Sequence, residues 1–336
     1  IRDSSRYADR LVELIEGRDL IIEPAPYRRE ILAFLRSGVR DISVSRSAER
    51  ARRWGIPVPG DPTQVVYVWF DALTNYISSL GYGVDAPDHE RWWRQSDERI
   101  HVVGKGITRF HAVYWPAFLL AAGEPLPTRI HVHPYLTADG EKLSKTGVVG
   151  DSPFGLIDRF GGDAIRWWVA RDVSPTADTD FTVGRLVDRV DDDLANCVGN
   201  LVNRIATLCH RRRVDPLALV DREPIAVVAG LRSVVADALA RFDRQRASSA
   251  ITDAATALNR HIESAAPWSL LDDPREAEAL DDLLAAYVAS LREIAAALGD
   301  LTPLLADRIG SQLRPGAGPE PTFRRLGAGR TTQPAA

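Results

Sequence analysis

Lys142-Leu143-Ser144-Lys145-Thr146, reached through Thr137-Ala138-Asp139-Gly140-Glu141 and followed by Gly147, holds the residue types best suited to chemistry in this chain. Two lysines three residues apart, with a small hydroxyl residue between them and glycines at either side, make a loop able to close on a polyphosphate. Each ammonium is a compact charge on a flexible stem, suited to spreading the negative charge that moves in phosphoryl or nucleotidyl transfer. The same composition also makes an ordinary solvated loop, so its company along the chain decides between the two.

Upstream, Gly104 and Gly106 flank Lys105 at a predicted strand-to-helix turn. Missing Cβ atoms there let a nucleotide approach the backbone, and a helix N-terminus favours anions; a plain tight turn has the same signature. Trp69 is expected at the carboxyl end of a buried strand, where open α/β sheets bind ligands. Ala72 and Tyr76, four apart on the following helix, share a face, and Phe110 and His111 open the helix after Gly106. Such a slot walled by rings suits a flexible thioether, because sulfur–aromatic contacts add to plain burial; the alternative is a set of core aromatics and a structural histidine. In the second half, Asn196, Asn200 and Arg204 recur every four residues with Asn203 beside them, opposite Leu194, Val198, Leu201 and Ile205. Amides and a guanidinium can read unstacked bases, and Trp268 after Pro267 offers a ring for stacking; a solvated helix face plus a core tryptophan fits the pattern too. Arg211-Arg212-Arg213 is a short basic cluster of the kind that holds a phosphate or simply sits in water.

The elements that must position these residues alternate in period. Apolar residues at helical spacing mark 6–17 and 27–37, a short strand is expected at 41–45, and 54–61 is turn-rich. The unbroken apolar run 65–70 predicts a strand covered on both faces. A helix from Ala72, a strand at 100–103, a helix at 107–122 and a strand at 129–134 complete the pattern of half a doubly wound nucleotide-binding domain. Beyond Gly150 the strands stop. Helices are expected at 154–160 and 163–171, then at 186–209, 225–242, 247–265 and 277–298 as a bundle. The Gly/Pro-rich 314–336 predicts a disordered tail.

With 336 residues, 45% of them hydrophobic, the chain is expected to form two domains. A net charge of −4 advertises no overall basic field, so contact with RNA must come from local patches. Cys197 and Cys209 form no Cys-x-x-Cys pair and read as buried small residues rather than a zinc knuckle or a disulfide framework. No apolar run is long enough to span a membrane and the first residues are charged, which predicts a cytoplasmic protein. The chain begins at Ile1 and contains no methionine, which predicts a fragment of a longer protein.

Read in order, the pieces resemble methionyl-tRNA synthetase, a class I aminoacyl-tRNA synthetase. The matching stretches are Trp54-Gly-Ile-Pro-Val-Pro-Gly-Asp61, Tyr67-Val-Trp-Phe-Asp-Ala-Leu-Thr-Asn-Tyr76 and His101-Val-Val-Gly-Lys-Gly-Ile-Thr-Arg-Phe-His-Ala-Val-Tyr-Trp-Pro116. Further on come Gly140-Glu-Lys-Leu-Ser-Lys-Thr146, Gly162-Asp-Ala-Ile-Arg166, Asp193-Leu-Ala-Asn-Cys-Val-Gly-Asn-Leu-Val-Asn-Arg204 and Ala266-Pro-Trp268. The resemblance implies the second half of a Rossmann-type doubly wound catalytic domain followed by a helical anticodon-binding bundle. It divides the chain into the end of a connective insertion (1–60), the catalytic half-domain with its signature loop (61–150), stem-contact linker helices (151–187), the anticodon-binding bundle (188–313) and the tail (314–336).

The implied activity is that of a methionine–tRNA ligase, which forms methionyl-adenylate from methionine and ATP with Mg²⁺ and then charges the methionine tRNA. Trp69, Ala72, Leu73, Tyr76, Phe110 and His111 match the methionine pocket, and Lys142 and Lys145 the catalytic loop. Gly104, Lys142, Ser144 and Lys145 match the ATP site, and Asn196, Asn200, Arg204 and Trp268 the anticodon reader. No metal site is expected in this chain, and a monomer is. Three departures stand out. The family's His-Ile-Gly-His-like motif is absent, along with the strand that carries it and most of the insertion; Gly106 stands where Asp or Asn is usual; and Leu143 and Thr146 replace Met and Ser. A class I site clamps ATP between both signatures, so this chain is expected to be inactive alone. A non-catalytic paralogue that binds tRNA in a regulatory role is the alternative, and a class I enzyme of another specificity a third.

Overall fold

The computed structural model describes residues 4–52, 54–84, 86–138, 140–142, 152–216, 219, 222–314 and 320–327. The chain divides into two compact units, residues 1–135 with 175–177, and residues 136–174 with 178–336.

The first unit opens with α1 (Ser4–Gly17), β1 (Ile21–Glu23) and α2 (Ala25–Arg36). Helical spacing puts Leu11, Leu14 and Ile15 of α1, and Ile31, Leu32 and Leu35 of α2, into one core with Ile22, Val103, Ile130 and Val132. Then come β2 (Ser45–Ser47), β3 (Pro57–Val58), β4 (Asp61–Val66) and α3 (Val68–Ser78), followed by α4 (Pro87–His89), which runs on into a π-helical turn at Glu90–Arg94. Strand β5 (Ile100–Gly104) leads through a 3₁₀ turn (Lys105–Ile107) and a π-helical turn (Phe110–Tyr114) into α5 (Trp115–Ala122), and β6 (Arg129–His133) follows. A parallel sheet of order β1-β6-β5 results, with Ile22 opposite Ile130 and Val102 opposite His131. Ile130 and Val132 of the central strand are fully buried, whereas β5 buries His101 and Val103 and leaves Ile100 and Val102 40% and 59% exposed.

The strand expected at 65–70 is not one. β4 ends at Val66 and lies antiparallel between β2 and β3 in a separate small sheet, and the chain turns helical at Val68. An apolar run of six residues cannot by itself distinguish a buried strand from a strand end joined to a helix start. Here Tyr67 breaks it with an extended N-cap, and Asp71 in the first turn complements the helix dipole. Trp69 therefore sits in the first turn of α3 rather than at the carboxyl end of a strand.

The second unit begins with β7 (Leu136–Ala138) and β8 (Glu141–Lys142), an antiparallel pair, then α6 (Pro153–Phe160), α7 (Gly162–Asp172) and β9 (Thr179–Asp180). β7 also pairs in parallel with β9, which draws 136–142 into this unit. α8 (Val183–Val190) continues through a π-helical stretch (Asp191–Gly199) into α9 (Asn200–Arg212). α10 (Leu231–Ala240), α11 (Arg244–Ala265), α12 (Ala277–Gly299) and α13 (Pro303–Gln312) complete the bundle. Helix starts carry their own caps: Ser152, Thr182 and Asp243 accept from Gly155, Arg185 and Arg246 N–H. Leu280, Leu284, Tyr287, Leu291, Ile294 and Leu298 form the apolar stripe of α12 and are all fully buried.

The tail expected to be disordered is ordered over residues 320–327. Asp191 accepts the backbone N–H groups of Leu326 and Gly327 at 2.6 and 2.9 Å, and Thr322 is buried. Composition marks such a segment as unable to build a core of its own, yet an existing helix surface with a free carboxylate can hold it. Residues 315–319 and 328–336 lie outside the described residues.

Candidate active site

At the first unit's sheet edge, α3 and the helix after β5 bring four expected rings together. Trp69 stacks on Phe110 with ring centroids 4.1 Å apart and planes 11° from parallel, and His111 meets Trp69 edge-on. Tyr76 Oη lies 3.0 Å from His111 Nε2, and His111 Nδ1 lies 3.0 Å from the Ile107 carbonyl oxygen. A carbonyl can only accept, so Nδ1 carries the proton, Nε2 accepts, and Tyr76 donates. His111 is thus neutral. Burial holds its pKa below the ordinary value, the bond to Ile107 opposing in part, and the Tyr76 phenol is raised by burial.

A second histidine backs the first. Trp115 Nε1 donates to His101 Nε2 at 3.2 Å, and the Tyr76 ring lies 4.2 Å from the His101 ring. Burial, with His111 adding, pushes His101 down to about 4. Both imidazoles are therefore neutral near pH 7. Trp69, Ala72 and Tyr76 form one stripe of α3, with Ala72 exposed and Tyr76 36% exposed. Leu73 is not on that stripe: at 1% exposure it lies in the core beneath, with Trp115, Phe118 and Leu119. The sequence pattern missed His101 and Trp115, which no short motif separates from core residues.

The two glycines after β5 behave differently. A Cβ on Gly104 would sit 3.6–3.9 Å from His133 and Tyr135, an ordinary contact. A Cβ on Gly106 would fall 2.0 Å from Tyr135 Oη, so the space of a residue-106 side chain is taken by this hydroxyl. Lys105 Nζ rests 4.9 Å from the centre of the same ring.

In the second unit, the backbone leading to the lysine loop is anchored. Thr137 pairs with Lys142 across the β7–β8 hairpin, and Gly140 takes a left-handed φ of 78°. Thr137 Oγ1 and Gly140 N both donate to Asp180 Oδ1, at 2.8 and 3.1 Å. Asp180 lies far along the chain and carries no sequence signal for this task. Ser144 and Lys145 lie outside the described residues.

The helical face expected to read bases is built differently from its pattern. Leu194, Val198, Leu201 and Ile205 are fully buried on the opposite side. The π-helical stretch shifts the repeat at Asn196, whose Oδ1 is buried without a partner among the described residues, while Asn200 is exposed. Arg204 reaches α11, donating to Asn259 Oδ1 at 3.2 Å and Glu263 Oε1 at 3.3 Å. Asn259 in turn donates to the Cys197 and Ala255 carbonyls. Trp268 follows the end of α11 and is 45% exposed, so it is not a core ring. Within the basic cluster, Arg212 forms a two-bond pair with Asp281.

The first unit's parallel sheet with its ring-walled edge, and the second unit's hairpin and helical bundle, are the parts of a class I tRNA synthetase. Residues 3–206 match the family described as "tRNA synthetases class I (M)", and the chain belongs to it. The chain is 36% identical over 319 residues to a methionine–tRNA ligase of Rickettsia conorii, covering 92% of this chain and 61% of the relative. It is 41% identical over 276 residues to that of Brucella suis biovar 1, covering 79% and 52%. Mycobacterium tuberculosis methionyl-tRNA synthetase in complex with methionyl-adenylate superposes with a TM-score of 0.76 at 31% identity, over 91% of this chain and 61% of that one. The apo form of that synthetase gives 0.75 at 29% identity, over 99% and 68%. The chain thus spans 61% or less of the length of these two curated relatives. Among the described residues no helix is long and apolar enough to cross a membrane, and no group of three or more His, Cys, Asp or Glu residues could hold a metal ion.

Proposed function

We propose that this chain supplies one side of the adenylate-forming site and the tRNA-reading bundle of a methionine–tRNA ligase. In that reaction a methionine carboxylate oxygen attacks the α-phosphorus of ATP and pyrophosphate leaves; a terminal ribose hydroxyl of the tRNA then takes the methionyl group and AMP leaves. The observation that supports this best is the neutral box of Trp69, Phe110, Tyr76 and His111. Its stacked faces suit a polarisable thioether. With its O–H directed at His111 Nε2, the Tyr76 oxygen has only lone pairs left to offer, which suits the substrate ammonium. Ala72 leaves room on the stripe, and Leu73 supports it from below. Lys142, Ser144 and Lys145 take the phosphates, with the two ammonium groups meeting the charge that develops on the departing pyrophosphate and Gly104 close to the nucleotide. Mg²⁺ enters with ATP, held chiefly by its phosphates. Asn196, Asn200, Arg204 and Trp268 read the anticodon, and the protein acts as a cytoplasmic monomer.

The test is a titration with L-methionine followed by tryptophan fluorescence, repeated with norleucine and alanine. Methionine is expected to bind best, and Trp69→Ala to weaken binding about tenfold or more, as loss of an aromatic wall predicts. Equal response to alanine, or no saturable response to methionine, would sink the reading.

A second reading, a non-catalytic paralogue that binds tRNA in a regulatory role, is favoured by one observation. Tyr135 occupies the volume that a side chain at 106 would need at the nucleotide edge. It predicts tRNA binding without methionine-dependent pyrophosphate exchange.

A further inference from the structure

Neither the ring-walled edge nor the base-reading face uses a cavity of about 610 Å³ within the second unit. It lies where the first turn of α7, the side of α13 and the segment 320–326 converge. Four observations there point the same way.

First, α7 is eleven residues long and its N-cap, Gly161, supplies no side-chain cap. The first-turn N–H groups of a helix have no partner inside it, and they carry the positive end of the dipole. Second, a Cβ on Gly161 or Gly162 would meet nothing within 4 Å, so the cavity reaches the helix end without a side chain in the way. Third, Arg308 of α13 and Arg324 of the C-terminal segment are among the residues that line the cavity, and each brings a positive charge to its rim. Fourth, Thr322 also lines it, is 2% exposed, and its Oγ1 has no hydrogen-bond partner among the described residues. A buried hydroxyl is costly to leave unpaired, and native structures give most such groups a protein, water or ligand partner.

We propose that this cavity binds a phosphate group. The N–H groups of the α7 start and the Thr322 hydroxyl donate to its oxygens, and the two arginines balance its charge. Asp163 in the same turn is already committed, its Oδ2 accepting Leu305 N–H at 2.6 Å at the start of α13. Glu320 lines the cavity as well and opposes an anion. Its volume falls within the range of small-molecule sites, and the Phe160 and Phe323 side chains on its wall can take a ring attached to the phosphate. The chemistry fits inorganic phosphate or a nucleoside monophosphate.

Calorimetric titration of the full chain at low salt with inorganic phosphate, adenosine 5′-monophosphate and a short single-stranded RNA tests this. The monophosphate is expected to bind one to one. Binding weakens about tenfold or more in Thr322→Val and in the double variant Arg308→Ala/Arg324→Ala, as loss of charge-assisted bonds predicts, and it tightens in Glu320→Gln. Thr322→Ser keeps the hydroxyl and is expected to retain affinity, which separates loss of the donor from loss of the fold. Inorganic phosphate binding as tightly as the monophosphate, with the same variant pattern, assigns the site to the free ion. RNA binding with that pattern assigns it to a backbone phosphate. No saturable binding by any of the three, or binding indifferent to Thr322→Val and the arginine variant, overturns the proposal. The readout involves neither methionine nor pyrophosphate, so its failure leaves the adenylate reading standing.

Discussion

His101 makes the pH response of the first unit calculable. The ring is 5% exposed, accepts from Trp115 Nε1, and titrates at about 4 rather than at its ordinary 6.5. A histidine whose folded pKa is depressed binds fewer protons in the folded chain than in the unfolded one. Its contribution to stability is complete above the unfolded value and is lost as pH falls towards the folded value. The window is therefore pH 6.5 down to 4. At about 1.4 kcal/mol for each pKa unit, the loss across it is on the order of 3 kcal/mol. His111, also depressed by burial, adds with the same sign. The assay is urea unfolding at pH 7.5, 6.5, 5.5 and 4.5, comparing the parent with His101→Gln. The glutamine carbonyl can still accept from Trp115 but does not titrate, so the difference between the two curves isolates His101 from the chain's other titrating groups. The parent is expected to lose stability more steeply than the variant between pH 6.5 and 4.5. Parallel curves, or a parent that gains on the variant as pH falls, would refute the burial argument.

Two further outcomes follow from single contacts. Tyr76→Phe removes the donor to His111 Nε2, and because His111 is 2% exposed the orphaned acceptor is expected to cost about 1–3 kcal/mol in urea unfolding, with weaker methionine binding. Trp268→Ala leaves the bundle core untouched, since the ring is 45% exposed, and is expected to reduce affinity for methionine tRNA by about 1–3 kcal/mol in a filter-binding assay with no shift in unfolding midpoint.

Several parts of the site were legible before folding. Ala72 and Tyr76 stand four apart, so any helix through them puts both on one stripe, and the structure adds Trp69 to that stripe. Phe110 and His111 open the helix after β5 as their position behind Gly106 predicts. Leu73, one residue from Ala72, could not be told from its neighbour by type, and the helix turned it into the core. The strand expected at 65–70 failed because hydrophobicity reports burial but not the partner that buries it. Asp180, Asn259 and Glu263 were invisible for a related reason: each acts on a residue 40 or more positions away.

By itself, the sequence determined which segments are amphipathic helices, where the glycine-flanked lysine loop lies, and which family the motifs belong to. Those properties depend on spacing along the chain, which local backbone geometry converts directly into faces. Only the tertiary structure decided the protonation of the two histidines, the occupation of the Gly106 space by Tyr135, and the anchoring of 320–327 on Asp191. Each of these depends on distances of a few ångströms between segments remote in sequence, and burial there sets both the charge state and the hydrogen-bond partner.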